Sequence, residues 1–227
     1  MEENKKISII IPVFNGEAYL AEAIQCALSQ NHTNKEVVVV NDGSTDQTSA
    51  IAKTFFPDII YHEQSNQGLG ASRNKGVELS SGEYIAFLDC DDLWEPSKLS
   101  KQLLHTIDDP IVFTHIKNFF CTNLTDDEKE KVIINQNIQP GYAASTILLS
   151  RKRFYEIGPF QEDKQLGEFI EWYARANQRN IPMLLLDELL VHRRVHLNNM
   201  SRQHDRYSTQ DYLKTIKRIL ALKKVGK

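Results

Sequence analysis

Three apolar runs in the first half of the chain each end in a polar, turn-forming cluster. Ile7–Ile11 leads into Pro12-Val13-Phe14-Asn15-Gly16-Glu17, Val37–Val40 into Asn41-Asp42-Gly43-Ser44-Thr45-Asp46, and Tyr84–Leu88 into Asp89-Cys90-Asp91-Asp92. A near-continuous β-branched run has no polar face. It must be covered on both sides, which is the condition of a parallel strand in an α/β sheet. Between the runs, Leu20, Ile24, Ala27 and Leu28 fall at helical spacing, and Leu69–Leu79 reads as a helix. Ser44-Thr45-Asp46-Gln47 has the spacing of a capping box and predicts a helix start. Pro96 predicts another, running to about Ile107. Ile59–His62 is a shorter strand. This alternation predicts a parallel sheet with right-handed crossovers. In such sheets ligands bind beyond the carboxyl ends of the strands.

The second half is less regular. Ile111–Thr114, Thr146–Leu149 and Met183–Leu186 read as strands, Gly167–Arg179 as a helix, and residues 115–140 are polar without a clear period. Asp205–Lys224 reads as a basic amphipathic helix, with Leu213, Ile216 and Leu220 as its apolar stripe. No Pro/Gly/Ser linker divides the chain, so the expectation is one domain over 1–227. Within it the chain divides into 1–110, 111–204 and the basic helix 205–227.

Charge narrows the function classes. The net charge is −3, which argues against a generally basic nucleic-acid binder. That total hides an asymmetry. Residues 193–227 hold ten basic and two acidic residues, a net of +8, and the first 192 residues carry −11. Three scattered cysteines, Cys26, Cys90 and Cys121, form no disulfide framework and suggest a reducing compartment. The short apolar run near the N-terminus is broken by Pro12 and lacks the flanks of a leader. No stretch approaches the length of a membrane-spanning helix. The expected location is cytoplasmic, with peripheral contact to the cytosolic face of a membrane through the basic helix as a sharper alternative. Asn-x-Ser/Thr triplets at Asn31, Asn123 and Asn199 are treated as chance.

The three strand ends differ in chemistry. The Pro12–Glu17 turn can present backbone groups to a base or phosphate, or be only a strand-to-helix turn. Asp42, at the end of the second run, can accept from a base imide or a ribose hydroxyl. Ser44 and Asp46 fit a turn and helix cap better. The Asp89–Asp92 cluster is the most chemical. Asp89 and Asp91 are two apart, so on an extended chain both face one side. Carboxylates that close need a cation, and hard oxygen donors suit Mg²⁺ or Mn²⁺ with substrate phosphates completing the shell; the alternative is a solvated acidic turn before the Pro96 helix. No GxGxxG opens the first helix. Gly68-Leu69-Gly70 follows a later strand and has Arg73 where a third glycine should stand.

Taken in order, Pro12–Glu17, Asn41–Asp46, Asn66-Gln67-Gly68, Ala71-Ser72-Arg73-Asn74, Gly82-Glu83-Tyr84-Ile85 and Leu88–Asp92 resemble the inverting family 2 glycosyltransferases of the GT-A fold. The resemblance is dense over roughly residues 6–100 and looser through Ser145–Phe160 to His196. It implies a GT-A-like, mostly parallel central sheet flanked by helices, with 1–110 as the nucleotide-sugar-binding half and 111–204 as the acceptor and catalytic half. It also implies transfer of a sugar from a nucleotide-diphosphate donor, UDP favoured, to a glycan or lipid-linked acceptor. Pro12, Val13, Phe14, Asn15 and Glu17 would belong to the first nucleotide loop. Asp42 would contact the base, and Arg73 would lie near the nucleotide. Asp89-Cys90-Asp91 matches the DxD motif, with Asp89 on the ribose or a metal-bound water and Asp91 on Mn²⁺ or Mg²⁺. Arg194 and His196 match an Arg-x-His segment, Arg194 for the diphosphate and His196 for metal or diphosphate. Asn41 replaces the family's usual first Asp.

The base is the main departure. The resemblance expects Glu-Asp after a glycine, and the chain has Gly167-Glu168-Phe169-Ile170-Glu171. Phe169 stands where the Asp should be. Glu168 and Glu171, three apart on one helical face, are the remaining candidates, with Glu168 preferred; the alternative is that both are solvated charges on the helix surface. Trp94 and Trp172 read as packing residues, though Trp172 is close enough to the proposed base to line a sugar subsite. Two other readings compete: a nucleotide-sugar-binding protein without catalysis, motivated by Phe169, and a sugar nucleotidyltransferase. The latter should carry a Gly-rich basic loop after the first strand, which this chain lacks.

Overall fold

The computed structural model describes residues 4–121, 134–163 and 167–197, with Leu124, Thr125, Asp127, Lys129 and Asn199. The basic helix expected over 205–227 lies outside the described residues. Among the described residues nine strands form one sheet in the order β3-β2-β1-β4-β8-β6-β9-β5, with β7 on β6. They are β1 (Ile7–Val13), β2 (Lys35–Asn41), β3 (Ile60–Glu63), β4 (Tyr84–Phe87), β5 (Leu93–Trp94), β6 (Ile111–Phe120), β7 (Gln139–Gly141), β8 (Leu148–Ser150) and β9 (Met183–Val195). The helices are α1 (Leu20–Leu28), α2 (Thr48–Lys53), α3 (Leu69–Leu79), α4 (Lys98–Leu103), α5 (Arg151–Ile157) and α6 (Glu168–Gln178).

The apolar runs behave as their composition requires. Every residue of β1 and β4 is buried. The pleat divides their side chains between two cores. Ile7, Ile9, Ile11, Val37, Val39 and Ala86 meet Leu20, Ile24 and Ala27 of α1 and Leu99 and Leu103 of α4. Ile10, Val38, Val40, Ile85 and Phe87 meet Val77 of α3, Phe154 and Ile157 of α5, and Trp172 of α6. Helix α3 approaches β1 closely because residue 76 is glycine: a Cβ there would lie 2.2 Å from Ile10 Cγ2. Burial of each large aliphatic side chain contributes about 1.5–3 kcal/mol.

β1 pairs in parallel with β2 and β4, and β2 with β3. The other half is mixed. β8 runs antiparallel to β4 and β6, and β9 runs parallel to β6. The two antiparallel steps restore direction, so β1, β2, β4, β6 and β9 all end on the same edge. Two strands exceed expectation. β6 continues through residues 115–120, where polar and apolar side chains mix. β9 runs past Asp187 and Glu188 because the register jumps there, pairing Thr114 with Leu186 and His115 with Leu189. That bulge leaves Asp187 exposed and lets the strand go on to Val195. Its end also pairs with β5, Leu93 with His192 and Trp94 with Val191.

Some local expectations give way to tertiary partners. The capping box at Ser44–Gln47 does not form. Helix α2 begins at Thr48, whose N–H and hydroxyl both donate to Asp46, and Ser44 Oγ accepts from Asn15 N instead. The helix after Pro96 spans only Lys98–Leu103. Lys98 is fully buried, its ammonium 3.9 Å from the Trp94 ring centroid and 2.8 Å from Gln102 Oε1. Burial pushes its pKa well below the ordinary lysine value. Among the described residues no helix is long and apolar enough to cross a membrane.

At the opposite edge Glu36 clamps three segments. It accepts from Ser8 Oγ at 2.7 Å and Ser81 N at 2.5 Å, and pairs with Lys6 at 2.6 Å. Burial alone would raise its pKa, but Lys6, Ser8 and Ser81 hold it down at about 2. A depressed carboxylate contributes stability above its unfolded pKa and loses it as pH falls through the folded one. Between about pH 4.5 and 2 the wild type is expected to lose about 3 kcal/mol that a Glu36→Gln variant never had. Urea titrations of both proteins at pH 7 and pH 3 check this. Parallel losses on acidification would contradict it.

Candidate functional site

The site is built where β1, β2, β4 and β9 end. Its first two loops are zipped together. Asn15, at φ 50°, donates its N–H to Ser44 Oγ at 2.8 Å and accepts from Thr45 N at 2.8 Å. Gly16 N donates to Thr48 Oγ1 at 2.9 Å. Glu17 N donates to Asp46 Oδ2 at 3.1 Å, and Glu17 Oε2 accepts from Gln47 N at 2.9 Å. The Asn15 and Glu17 side chains therefore hold the second loop. Pro12 and Val13 are buried in β1, and Val13 O accepts from Asp42 N at 2.8 Å. Phe14 is half exposed at the mouth. Gly16 packs close to the third loop, since a Cβ there would lie 3.4 Å from Cys90 Sγ.

Asp42 is buried and organises the entry to α3. Its Oδ1 accepts from Gln64 Nε2 at 2.8 Å and Gln67 N at 2.9 Å, and its Oδ2 from Gly68 N at 2.7 Å. Gly68, at φ 94°, permits that turn. Neighbouring Asn41 donates to Tyr61 Oη at 2.9 Å and accepts from Ser44 N at 3.0 Å.

Arg73 of α3 is the electrostatic centre. It is 2% exposed and bridges two carboxylates, NH2 to Asp89 Oδ1 at 2.7 Å and NH1 to Glu168 Oε1. Its guanidinium also lies 6.0 Å from the Phe87 ring centroid and 5.6 Å from that of Phe160. Burial would lower its pKa, but Asp89 and Glu168 raise it further. Glu168, at the start of α6, is thus joined to Asp89. Glu171 is not. It pairs with Arg175 Nε at 2.9 Å, and Arg175 ties it to the turn after α5 through Ile157 O and Pro159 O. Phe169 is buried against Trp172, their ring centroids 5.9 Å apart. Trp172 is itself fully buried, with its Nε1 donating to Gly158 O.

The last part comes from β9. His196 Nε2 lies 3.0 Å from Asp91 Oδ2. Asn199 Nδ2 donates to the same oxygen at 3.0 Å, and Asn199 Oδ1 accepts from His196 N at 2.7 Å. Arg194 sits behind this pair. Its N–H donates to Asp92 Oδ1 at 3.2 Å and its Nε to Asp91 O at 3.0 Å. It pairs with Glu22, and its guanidinium lies between Tyr19 and Phe119, 4.9 and 4.8 Å from their ring centroids. His192 turns elsewhere, to Glu95 at 2.7 Å.

Negative charge dominates this corner. Burial and the charges of Asp91 and Asp89 push Asp92 well above the carboxylate range. Burial and the flanking Asp91 and Asp89 push the Cys90 thiol up as well. Burial and the Cys121 thiol raise Tyr19 to about 12. Among the described residues no group of three or more His, Cys, Asp or Glu side chains could hold a metal ion. Asp91 and His196 form a two-donor set. That fits a hard divalent cation taking its remaining oxygens from phosphate and water.

The structure thus joins Arg73, Asp89 and Glu168 in one ion triad, and Asp91, His196 and Asn199 in one hydrogen-bonded group. Sequence reasoning missed Asn199, Tyr19 and Glu22. Only the three-residue offset of Asn199 from His196 could have signalled the first.

A protein-family model described as Glycosyl transferase family 2 matches residues 8–170. An uncharacterized glycosyltransferase of Rickettsia typhi is 33% identical over 205 residues, covering 84% of this chain. The chain spans 64% of that relative's length. Among solved structures, S. aureus TarS in complex with UDP-GlcNAc superposes with a TM-score of 0.74 at 19% identity, over 96% of this chain and 66% of that one. A mannosyltransferase from Pyrobaculum calidifontis in complex with GDP-Man and Mn²⁺ gives 0.63 at 16% identity, over 94% of this chain and 65% of that one. At these identities the structural likeness shows the fold, a GT-A-like α/β sheet.

Proposed function

The chain belongs to glycosyl transferase family 2, and from that premise we propose that it moves a sugar from a nucleotide-diphosphate donor, UDP favoured, to an acceptor hydroxyl with inversion. The observation that carries this reading is the approach of His196 to Asp91 within 3.0 Å, beside the Arg73–Asp89 pair, at the edge where β1 and β2 also end. TarS binding UDP-GlcNAc supports a nucleotide-sugar donor. The acceptor is a glycan or a lipid-linked hydroxyl.

In this reading the base and ribose lie along Phe14 and the Asp42 turn. The diphosphate lies over Asp89 and Asp91. Asp91 and His196 would hold Mn²⁺ or Mg²⁺, which supplies charge neutralisation of the departing diphosphate. Glu168 takes the acceptor proton while the acceptor oxygen bonds the anomeric carbon and the bond to the donor phosphate breaks. Arg73 orients Glu168 by gripping Oε1, so the proton goes to Oε2. Turnover of a panel of UDP- and GDP-sugars with Mn²⁺ tests the reading. No transfer, no donor hydrolysis and no nucleotide binding by calorimetry would reject it.

The base assignment makes a separate prediction. Glu168→Gln is expected to lower kcat by about 10²–10⁴, the usual contribution of a general base. Glu171→Gln is expected to stay within about tenfold of wild type, because Glu171 is tied to Arg175. The reverse order would transfer the role to Glu171. A second reading rests on Phe169, buried where the family resemblance expects Asp: nucleotide-sugar binding without transfer. Tight UDP binding with no turnover on any acceptor would favour it.

A further inference from the structure

We propose that Asn199 is a positioning residue for the Asp91–His196 cation site, an inference that rests on the reading above. Asn199 is 8% exposed and makes three hydrogen bonds, each to the parts of the chain that build that site. Its Oδ1 takes the His196 N–H at 2.7 Å, which sets the imidazole's backbone. Its Nδ2 donates to Asp91 Oδ2 at 3.0 Å and to Arg194 O at 3.2 Å. One side chain therefore fixes both proposed ligands and the strand end between them.

The chemistry favours an amide here. An imidazole nitrogen that ligates a cation does so with its lone pair and cannot donate a proton from the same atom. The His196–Asp91 hydrogen bond must then yield when a cation arrives. The Asn199 bonds need not. Asn199 carries no charge and cannot ionise, so it orients Asp91 without adding to the repulsion among Asp89, Asp91 and Asp92. An arm that holds a carboxylate ligand from outside the coordination sphere is commonly worth 10–100-fold in metal affinity. The Tyr19 ring also packs on this group, its centroid 4.9 Å from that of His196.

The test uses the full chain with UDP and Mn²⁺, free Mn²⁺ being read by its EPR signal. Asn199→Leu is expected to bind Mn²⁺ about 10–100-fold more weakly. Asn199→Ser, which keeps a hydroxyl on a shorter arm, is expected to fall between. The Mn²⁺ concentration for half-maximal transfer should rise in step, with kcat at saturating Mn²⁺ close to wild type. A purely structural role would leave Mn²⁺ affinity alone. Asn199→Leu binding within about twofold of wild type overturns the proposal, as does a loss of kcat that saturating Mn²⁺ does not restore. If Asn199→Leu does not fold, Asn199→Ser decides: intermediate affinity supports the proposal, wild-type affinity overturns it. Wild-type protein that transfers sugar without binding Mn²⁺ sinks this inference and leaves sugar transfer standing. Wild-type protein that neither binds UDP nor transfers sinks the functional reading and the inference with it.

Discussion

Replacing Asp91 by alanine is expected to reduce kcat/KM for sugar transfer by about 10³-fold or more while leaving the fold intact. The activity loss follows from the site's charge. A departing diphosphate needs cationic compensation worth several kcal/mol, and each 1.36 kcal/mol is a factor of ten in rate. Asp91 is the acidic side chain that faces His196, so a cation at this corner depends on it. The fold should survive because Asp91 stands among like charges. Its side chain is 24% exposed, and its charge helps to push Asp92 above the carboxylate range after burial. Removing it relieves repulsion. A thermal midpoint at or slightly above that of wild type is therefore expected beside the lost activity. Residual kcat/KM within tenfold of wild type at saturating Mn²⁺ would reject the assignment.

Arg73→Met is expected to do the opposite, damaging stability first. The guanidinium is the buried cation shared by Asp89 and Glu168. Deleting one partner of a buried ion pair commonly costs 3–5 kcal/mol, because the remaining charge stays desolvated. Here two carboxylates would be left facing each other. A loss of about 3–5 kcal/mol corresponds to a fall of roughly 10 °C in midpoint for a domain of this size. Arg73→Lys should recover little, since an ammonium cannot present the planar fork that meets two carboxylates at once. Adding Glu168→Gln to Arg73→Met should recover part of the loss by removing one stranded charge. Denaturant unfolding of the three variants checks this. A single-variant loss below about 1 kcal/mol would show that water already compensates the triad.

The fold was legible where a local period encodes it. Leu69–Leu79 is a helix over the span expected, and β1 and β4 are buried on both faces as their apolar runs require. Legibility failed where a local signal was met by a distant partner. The Ser44–Gln47 box was a sound local pattern, but Asn15 took Ser44. Asp187 and Glu188 read as a strand end, yet the bulge opposite Thr114 and His115 carries β9 onward. Without that continuation neither Arg194 nor His196 would reach the acidic loop.

By itself the sequence determined that three parallel strands end in polar loops on one edge, and so that Asp42, Asp89 and Asp91 share a neighbourhood. Burial on both faces and alternation with helices are properties of short windows, which a linear chain carries openly. Only the tertiary structure decided what those residues face. Asn15 and Glu17 bind the second loop, Arg73 joins Asp89 to Glu168, and His196 and Asn199 meet Asp91 across 105 and 108 residues. Such pairings depend on strand order and on a register shift in β9. These are set by packing the whole sheet, and no short window encodes them.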